Sequence, residues 1–315
     1  MKTTMNMRSG VKIKSGRLSD SAQCYLLLGL PLIGFFVFTL YPILWAMRLS
    51  FFYHDGIPSN TVFVGIENFV NAFKDKVYWG TWLTTLQFAV MKLPIELPLA
   101  LVLAVLLNKK IKGSGFFRTV YFMPTVISAA LIALMFSNLF SVFGIVNMYL
   151  IKLGIIKDYF NWFETKSTAM WVLVISSIWN TFGTNILYFL GALQNVPEDC
   201  YEAAKIDGAG KFTTFFKITI PLIAPVAQTI LLLSINGTLQ TGEYVILLTN
   251  GAPGGATYTA GAYLIGKFAP GFAETTANIG YGCAFACKHR HNGVGCGILL
   301  KSKQKNDKHI LMGVY

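Results

Sequence analysis

Residues 202–221 read EAAKIDGAGKFTTFFKITIP, and this stretch determines how the rest of the chain is interpreted. It is hydrophilic and contains glycines, yet it lies between two long apolar runs. Residues 198–207 favour a short helix, because the acidic side chains at its start complement the helix dipole and a following glycine can end it. A second amphipathic helix is predicted over residues 212–218, leading to Pro221.

The chain around this stretch is too apolar for one soluble core. Of its 315 residues, 54% are hydrophobic and 13% are charged, and the mean hydropathy is +0.54. Several runs approach the ~20 apolar residues that cross a bilayer, where backbone groups must be satisfied within a helix. We therefore predict an all-α polytopic membrane protein with six helical spans, at residues 24–47, 82–107, 119–140, 168–193, 219–248 and, in atypical form, 276–300.

The basic residues predict the orientation of these spans. They are concentrated before the first span, after the second span, in the 198–221 loop and in the tail. By the positive-inside rule these segments are cytoplasmic, so both termini face the cytoplasm. The net charge of +12 thus comes from basic residues that orient the spans. We expect the chain to be surrounded by lipid and not to bind nucleic acid. The predicted organisation is a cytoplasmic segment 1–23, a membrane domain 24–300 and a cytoplasmic tail 301–315.

The first apolar run is predicted to be a retained span rather than a signal peptide. It is about twice the usual length of a signal-peptide core and ends in WAMR, without a small-x-small cleavage site.

The spacing within residues 202–221 resembles the EAA loop of bacterial ABC importer permeases. That pattern is Glu-Ala-Ala, three residues, Gly, nine residues, then Ile, any residue, an aliphatic residue and Pro. The sequences GALQNVPEDC at 191–200, FFRTVYFMP at 116–124 and LLTNGAP at 247–253 are similar to the carbohydrate-uptake branch that includes the maltose transporter. The EAA positions are filled by Glu202, Ala203, Ala204, Gly208, Ile218, Ile220 and Pro221.

The resemblance implies the type I ABC importer permease fold, with six transmembrane helices in a bacterial inner membrane and a cytoplasmic coupling helix. It implies three protein partners: an ABC ATPase dimer, a second homologous permease and an extracytoplasmic solute-binding protein. ATP and Mg would bind to the ATPase, and the chain itself contains no GxxxxGK[ST] loop and is expected to hold no cofactor. Glu202 would pair with a basic residue of the ATPase, and the small Ala203 and Ala204 would permit close approach. The coupling residues carried over are Glu202, Ala203, Ala204, Asp207, Gly208 and Pro221.

A carbohydrate substrate requires hydroxyl-matching groups and aromatic faces along its pathway. Spans four and five are rich in such groups, although the residue types at the positions that match the maltose permease differ from that permease, which leaves the particular sugar open. Each of these residues could instead form a hydrogen bond between helices. The predicted pathway residues are Ser177, Thr181, Thr184, Tyr188, Asn236, Thr238, Gln240 and Thr241.

Span two also contains Lys92 and Glu96, an ionisable pair four residues apart on one helical face. Charges at membrane depth usually face a cavity or each other. The pair is interpreted either as a polar wall of the pathway or as an internal pair that stabilises a helix kinked by its prolines.

Residues 283–296 contain three cysteines and two histidines where the family has its sixth span. Their C-x-x-x-C-x-H-x-H-x-x-x-x-C spacing is not that of a usual zinc finger, and no metal site is predicted. Shifting the codons of KHRHNGVGCG by one nucleotide allows mostly apolar residues, so we hypothesise a local frameshift between about residues 283 and 300. Genuine divergence of the sequence and a metal site are the alternatives.

Two other function classes remain as alternatives to the importer permease. A standalone channel or secondary transporter for small polar solutes would need no ATPase. An intramembrane enzyme would need catalytic groups, but the chain has no HExxH motif, no paired catalytic carboxylates and no convincing nucleophile–base arrangement. No catalytic residue is predicted, and the chain is not expected to be an enzyme.

Overall fold

The computed structural model describes residues 20–108, 113–268 and 278–287, about three quarters of them in helices. The chain divides into an N-terminal unit ending at Arg48 and a larger unit that begins at Leu49. In chain order the elements are α1 Asp20–Phe35, a π turn Phe36–Leu40, α2 Tyr41–Leu49, β1 Phe52–Tyr53, a 3₁₀ turn Pro58–Asn60, β2 Val62–Phe63, α3 Glu67–Lys74, α4 Lys76–Asn108, α5 Ser114–Val126, α6 Ala129–Leu139, α7 Ile145–Lys152, α8 Lys166–Gln194, α9 Glu198–Ile206, α10 Lys211–Thr214, a π turn Phe215–Thr219, α11 Ile220–Leu239, α12 Glu243–Thr249, α13 Ala260–Phe268 and α14 over 279–287.

Four helices among the described residues are long and apolar enough to cross a membrane. Two of them contain the predicted second and fourth spans, and a third covers the predicted first span from Leu27 onward. The predicted sixth span is described only over residues 278–287, and its remainder lies outside the described residues. The four helices are Leu27–Leu49, Lys76–Asn108, Lys166–Gln194 and Lys211–Leu239.

The third span is not the single helix that was predicted over residues 119–140. Helices α5 and α6 meet at an angle of 92°. The break lies at Ile127 and Ser128, whose backbones are extended. The prediction failed because both halves are apolar, and hydropathy does not register a change of direction. The two halves pack differently: α5 lies mainly against α8, whereas α6 lies mainly against α12.

The fifth span is shorter than the predicted 219–248. Helix α11 ends at Leu239, and a new short helix, α12, begins at Glu243. The break is explained by Gly242, because a methyl group there would lie 2.6 Å from the carbonyl carbon of Gly261. Close approach of these two backbones therefore turns the chain before α12 begins.

Two π turns allow long helices to continue toward a proline. The turn Phe36–Leu40 precedes Pro42, and the turn Phe215–Thr219 precedes Pro221. A proline ring clashes with the carbonyl of residue i−4, and a π turn is one way in which a helix adjusts. The helix predicted over 212–218 is consequently not a separate element, because Lys211–Leu239 forms one continuous helix.

The core of the larger unit is built around the packing of α4 against α8. Helix α5 also packs against α8. Gly183 permits this contact, because a methyl group there would overlap the carbonyl oxygen of Tyr121. Small residues that allow backbones to approach are the usual solution for helix contacts in membranes, where lipid competes for apolar side chains.

The first residues of α4 are held by a cluster around Asp75. One carboxylate oxygen accepts hydrogen bonds from the backbone N–H groups of Val77 and Tyr78, at 2.9 and 3.1 Å. The other accepts from the hydroxyls of Tyr263 at 2.6 Å and Tyr281 at 3.1 Å. Partial burial raises the pKa of Asp75, but these hydrogen bonds outweigh it and hold the pKa below its ordinary value. The cluster joins α4 to α13 and α14.

Helix α14 also packs on the two-stranded antiparallel hairpin, in which Phe52 faces Phe63. The N–H of Ile279 donates to the carbonyl of His54 at 2.7 Å. A methyl group at Gly280 would overlap the carbonyl oxygen of Phe52. The described beginning of the sixth span is therefore an ordered helix with a buried Phe285.

Candidate transport pathway and coupling loop

A cavity of about 460 Å³ opens between α4, α8 and α11, with residues of α6 and α12 also in its lining and many polar side chains among apolar surface. Its volume lies in the range of small-molecule sites, about 300 to 1,000 Å³. Seven of the eight predicted pathway residues line it: Ser177, Thr181, Thr184, Tyr188, Thr238, Gln240 and Thr241. The eighth, Asn236, lies outside the lining, and its side-chain oxygen accepts a hydrogen bond from Gln240 at 2.9 Å.

The ion pair of α4 also forms part of the cavity lining. Lys92 Nζ lies 3.4 Å from Glu96 Oε2, and both side chains are almost fully buried. Glu96 Oε1 accepts hydrogen bonds from Thr181 Oγ1 at 2.5 Å and from Asn185 Nδ2 at 2.9 Å. The pair therefore lies in the cavity lining, and Glu96 also links α4 to α8.

A second link extends the network from Asn185 to the next helix. The side-chain oxygen of Asn185 accepts a hydrogen bond from the hydroxyl of Ser234, at 3.2 Å. The chain of contacts thus runs from α4 through α8 to α11, across residues far apart in sequence. Asn185 and Ser234 were not among the predicted pathway residues, and neither were the lining residues Asn180, Glu243 and Tyr244. In the sequence, these residues could have been recognised as pathway candidates because they are polar side chains within apolar spans.

The coupling loop begins with α9, which matches the helix predicted over residues 198–207 to within one residue. It ends in a Schellman motif: Ala209 N–H donates to the carbonyl of Ala204 at 2.9 Å, and Gly208 N–H donates to that of Lys205 at 3.2 Å. Gly208 has φ of +73°, a left-handed conformation that strongly favours glycine. The left-handed backbone at this position therefore explains why the pattern has a glycine here.

The coupling residues differ in what they offer to another protein. Ala204 is only 4% exposed, so it packs within this chain rather than presenting a small side chain to a partner. The exposed members of the set are Glu202, Ala203, Asp207, Gly208 and Pro221. The neighbouring Ile206 and Phe212 are large, apolar and more than 80% exposed, at 86% and 82%. They were not predicted to contact a partner, although both lie within residues 202–221.

The candidate metal ligands of the tail are only partly described. Cys283 and Cys287 lie in α14, the former buried and both free of disulfides. His289, His291 and Cys296, together with most of the segment of the frameshift hypothesis, lie outside the described residues.

Comparison with known proteins gives consistent matches. Residues 96–282 match the family model described as "Binding-protein-dependent transport system inner membrane component". The chain is 36% identical over 243 residues to the lactose transport system permease protein LacF of Rhizobium radiobacter, covering 75% of this chain and 81% of LacF. It is 32% identical over 277 residues to the trehalose/maltose transport system permease protein MalF of Thermococcus litoralis, covering 83% of this chain and 90% of MalF.

The fold is similar to that of a chain in the crystal structure of a bacterial alginate ABC transporter in complex with alginate pentasaccharide-bound periplasmic protein. The TM-score is 0.75 at 21% sequence identity, and the match covers 89% of this chain and 93% of that chain.

Proposed function

Because the chain belongs to the family of binding-protein-dependent transport system inner membrane components, we propose that it forms half of the translocation pathway of an ATP-driven carbohydrate importer. The observation that carries the proposal is the cavity between α4, α8 and α11, in which hydroxyl and amide side chains line a space within apolar helices. Hydroxyl-bearing solutes are recognised by such groups. The sugars named for LacF and MalF agree with this substrate class.

The proposed partners are an ABC ATPase dimer, a second homologous permease and an extracytoplasmic solute-binding protein. ATP and Mg would bind to the ATPase, and this chain would hold no cofactor. The exposed surface of α9 supports docking of the ATPase, because it combines a charged residue, Glu202, with the apolar Ile206. With this loop in the cytoplasm, the orientation of the spans would follow the distribution of the basic residues, with both termini inside.

The function is tested by reconstitution. The chain is purified with its candidate ATPase, second permease and binding protein, and ATP hydrolysis and uptake are measured in liposomes with lactose, maltose and trehalose. We expect at least one sugar to stimulate both activities. Uptake that persists without the ATPase would instead indicate a standalone channel or secondary transporter, and an assembled complex that no sugar stimulates would contradict the carbohydrate assignment.

The coupling role is tested with two glycines of the same loop. Gly208→Val places a β-branched residue in the left-handed region and should unwind the end of α9. Gly210→Val is the matched control, because Gly210 has φ of −70° and, like Gly208, has no neighbour within 4 Å of an added methyl group. We expect Gly208→Val to abolish sugar-stimulated ATP hydrolysis while sugar binding by the binding protein survives. An equal loss of sugar-stimulated ATP hydrolysis in both variants would contradict a role for the C-terminal end of α9.

A further inference from the structure

We propose that α3 lies in the surface of the bilayer as an interfacial helix and holds the first turn of α4 at a fixed depth in the lipid. The inference goes beyond the proposed function, because it concerns a lipid contact and not the substrate pathway. It depends on three observations: the different character of the three sides of α3, the junction of α3 with α4, and the exposed apolar row that continues along α4.

One side of α3 is turned into the protein. Asn68 is buried, and its amide nitrogen donates to the carbonyls of Ser50 at 3.0 Å and Phe52 at 2.9 Å. Ala72 is also fully buried. Asn68 and Ala72 are four residues apart and therefore lie on one face of the helix. These contacts fix α3 against the segment that contains β1, so the direction of its other sides is fixed as well.

A second side of α3 is apolar and exposed. Ile66 immediately precedes the helix, and Val70 and Phe73 follow at spacings of four and three residues, which place them on one face. Ile66 is 67% exposed and Phe73 is 60% exposed. Large apolar side chains that share an exposed face gain free energy when another surface covers them. This apolar side is therefore the surface to which a partner must be assigned.

The third side of α3 is polar and exposed. It carries Glu67, Asn71 and Lys74, again at spacings of four and three residues. The helix thus presents protein contacts, apolar side chains and hydrophilic side chains in three different directions. This arrangement fits the boundary of a membrane, where protein, lipid and water meet. An amphipathic helix lies in that plane with its apolar side chains toward the acyl chains.

The apolar side of α3 adjoins the membrane span α4. The indole N–H of Trp79 donates to the carbonyl of Phe73 at 3.0 Å, so the first turn of α4 packs against the last turn of α3. Trp79 begins a row of exposed apolar side chains that continues along α4 with Leu83, Leu86 and Val90, at helical spacings of four, three and four residues. Tryptophan side chains with a bonded N–H are enriched where a span enters the headgroup region.

These contacts favour a lipid surface over a soluble protein as the cover of α3. The exposed row on α4 belongs to a membrane span, and the apolar side of α3 is continuous with it at Trp79. A soluble partner that dissociates would leave this apolar surface in water each time, whereas lipid covers it permanently. The other end of α4 lies near the coupling loop, because Asn108 lines a pocket together with Tyr201 of α9. In the proposed orientation α3 therefore contacts the outer leaflet.

Asp75 transmits the position of α3 to α4. It is the residue between the two helices, and its carboxylate accepts hydrogen bonds from the N–H groups of Val77 and Tyr78 in the first turn of α4. Because no flexible loop separates the helices, a helix fixed in the plane of the membrane surface also fixes the depth at which α4 enters the lipid.

The test identifies what touches each side of α3. The photoreactive amino acid p-benzoylphenylalanine is placed singly at position 73, 71 or 83 of the chain. The transporter complex is then illuminated in nanodiscs of phosphatidylethanolamine and phosphatidylglycerol, with binding protein added, and its adducts are identified by mass spectrometry. We expect at least about fivefold more lipid adduct at Phe73, on the apolar side, than at Asn71, on the polar side. Leu83, within the span, gives the yield for full lipid contact.

Three results would overturn the inference. The first is an adduct at Phe73 to the binding protein or to the second permease in place of lipid. The second is an equal yield of lipid adduct at Phe73 and Asn71. The third is an absence of lipid adducts at both Phe73 and Leu83, because the row on α4 would then not face lipid. Sugar uptake does not enter this measurement, so a failure of the proposed function would be recognised separately.

A substitution tests the same contact by amide hydrogen exchange in nanodiscs. Phe73→Asn should make the amides of α3 exchange roughly tenfold faster, because an apolar contact is lost while phenylalanine and asparagine have similar helix propensities. Asn71→Ser, on the polar side, is the matched control and should change the exchange by less than about twofold. Unchanged exchange in Phe73→Asn, or an equal increase in both variants, would contradict the lipid contact of the apolar side.

Discussion

Two carboxylates associated with the same long helix have different surroundings. Asp75, just before α4, receives hydrogen bonds on both oxygens, two from backbone N–H groups and two from tyrosine hydroxyls. Glu96, in the middle of α4, receives two on one oxygen and only an ion pair on the other. Asp75 joins the ends of helices at a partly exposed position, whereas Glu96 lies fully buried beside the cavity.

The difference indicates which carboxylate serves structure and which serves function. A buried polar group with all its partners stabilises one arrangement, while an incompletely paired one is costly and needs another reason to be present. Natural proteins accept such costs mainly at functional sites. The comparison therefore predicts that changes at Asp75 affect the assembly of helices, and that changes at Glu96 affect both stability and the hydrogen-bond network at the cavity.

The largest effect is expected for Glu96→Ala. The substitution leaves Lys92 buried without its partner, which should lower the free energy of unfolding by about 3 to 5 kcal/mol. Replacing both residues by methionine should recover most of the loss, because no buried charge then remains. Unfolding of the purified chain in mixed micelles, titrated with dodecyl sulfate, measures both. Similar stabilities of the single and double variants would show that the ion pair is not what the stability depends on.

A smaller effect is expected for Asp75→Asn. Asparagine keeps an oxygen that can cap α4 but loses the charge that strengthens all four hydrogen bonds, so the expected loss is about 1 to 2 kcal/mol in the same titration. Asp55→Asn is the matched control, because Asp55 also accepts hydrogen bonds but only from its own loop, from the N–H of Ile57 and the amide of Asn60. If Asp55→Asn lowered the free energy of unfolding as much as Asp75→Asn, the hydrogen bonds of Asp75 to α13 and α14 would have no special structural role.

The pH dependence of stability distinguishes the charge of Asp75 from its shape. Because its pKa is lowered in the folded state, the carboxylate contributes stability that is fully present above the unfolded value of about 3.9 and is lost as the pH falls through the folded value. The difference in unfolding midpoint between the unaltered chain and Asp75→Asn should therefore be constant from about pH 7 to pH 5 and should narrow only below about pH 4. A difference in unfolding midpoint that stays constant down to pH 3 would contradict a stabilising role for the charge of Asp75.

The smallest effect is expected where one partner of Asp75 is removed. Tyr281→Phe deletes a hydroxyl that lies 3.1 Å from Asp75 but keeps the ring that packs on Phe285. The expected cost is about 1 kcal/mol, or roughly fivefold faster amide hydrogen exchange in α14 if that helix opens locally. Tyr263→Phe, which deletes the shorter 2.6 Å bond, should have the larger effect in α13. Unchanged exchange in both helices would show that the cluster does not join them.

Much of the helical organisation was predictable from composition and spacing. The second and fourth spans and helix α9 agree with the structure because each is bounded by local signals, namely charged or polar residues, prolines and glycines. The third and fifth spans were wrong at their breaks. At Ile127–Ser128 the residues are compatible with a helix, and at Gly242 the cause is the backbone of Gly261, which is close only in the folded chain.

The candidate site was predictable in its residue types but not in its connections. Hydroxyl and amide side chains in apolar spans four and five indicated a pathway, and seven of eight of them line one cavity. The sequence also contained Lys92 and Glu96 at a spacing that allows a pair. It could not show that Thr181 and Asn185, 85 and 89 residues from Glu96, donate to the same oxygen.

The sequence by itself thus determined the class of protein, the positions of the first, second and fourth spans and the shape of the coupling helix, because hydropathy, helix capping and the left-handed glycine are properties of neighbouring residues. Only the tertiary structure decided where spans three and five break, that Ala204 is buried within this chain and which way the hydrogen bonds around Glu96 point. These features depend on backbones and side chains from distant parts of the chain meeting in space, and no local pattern records which partners will meet.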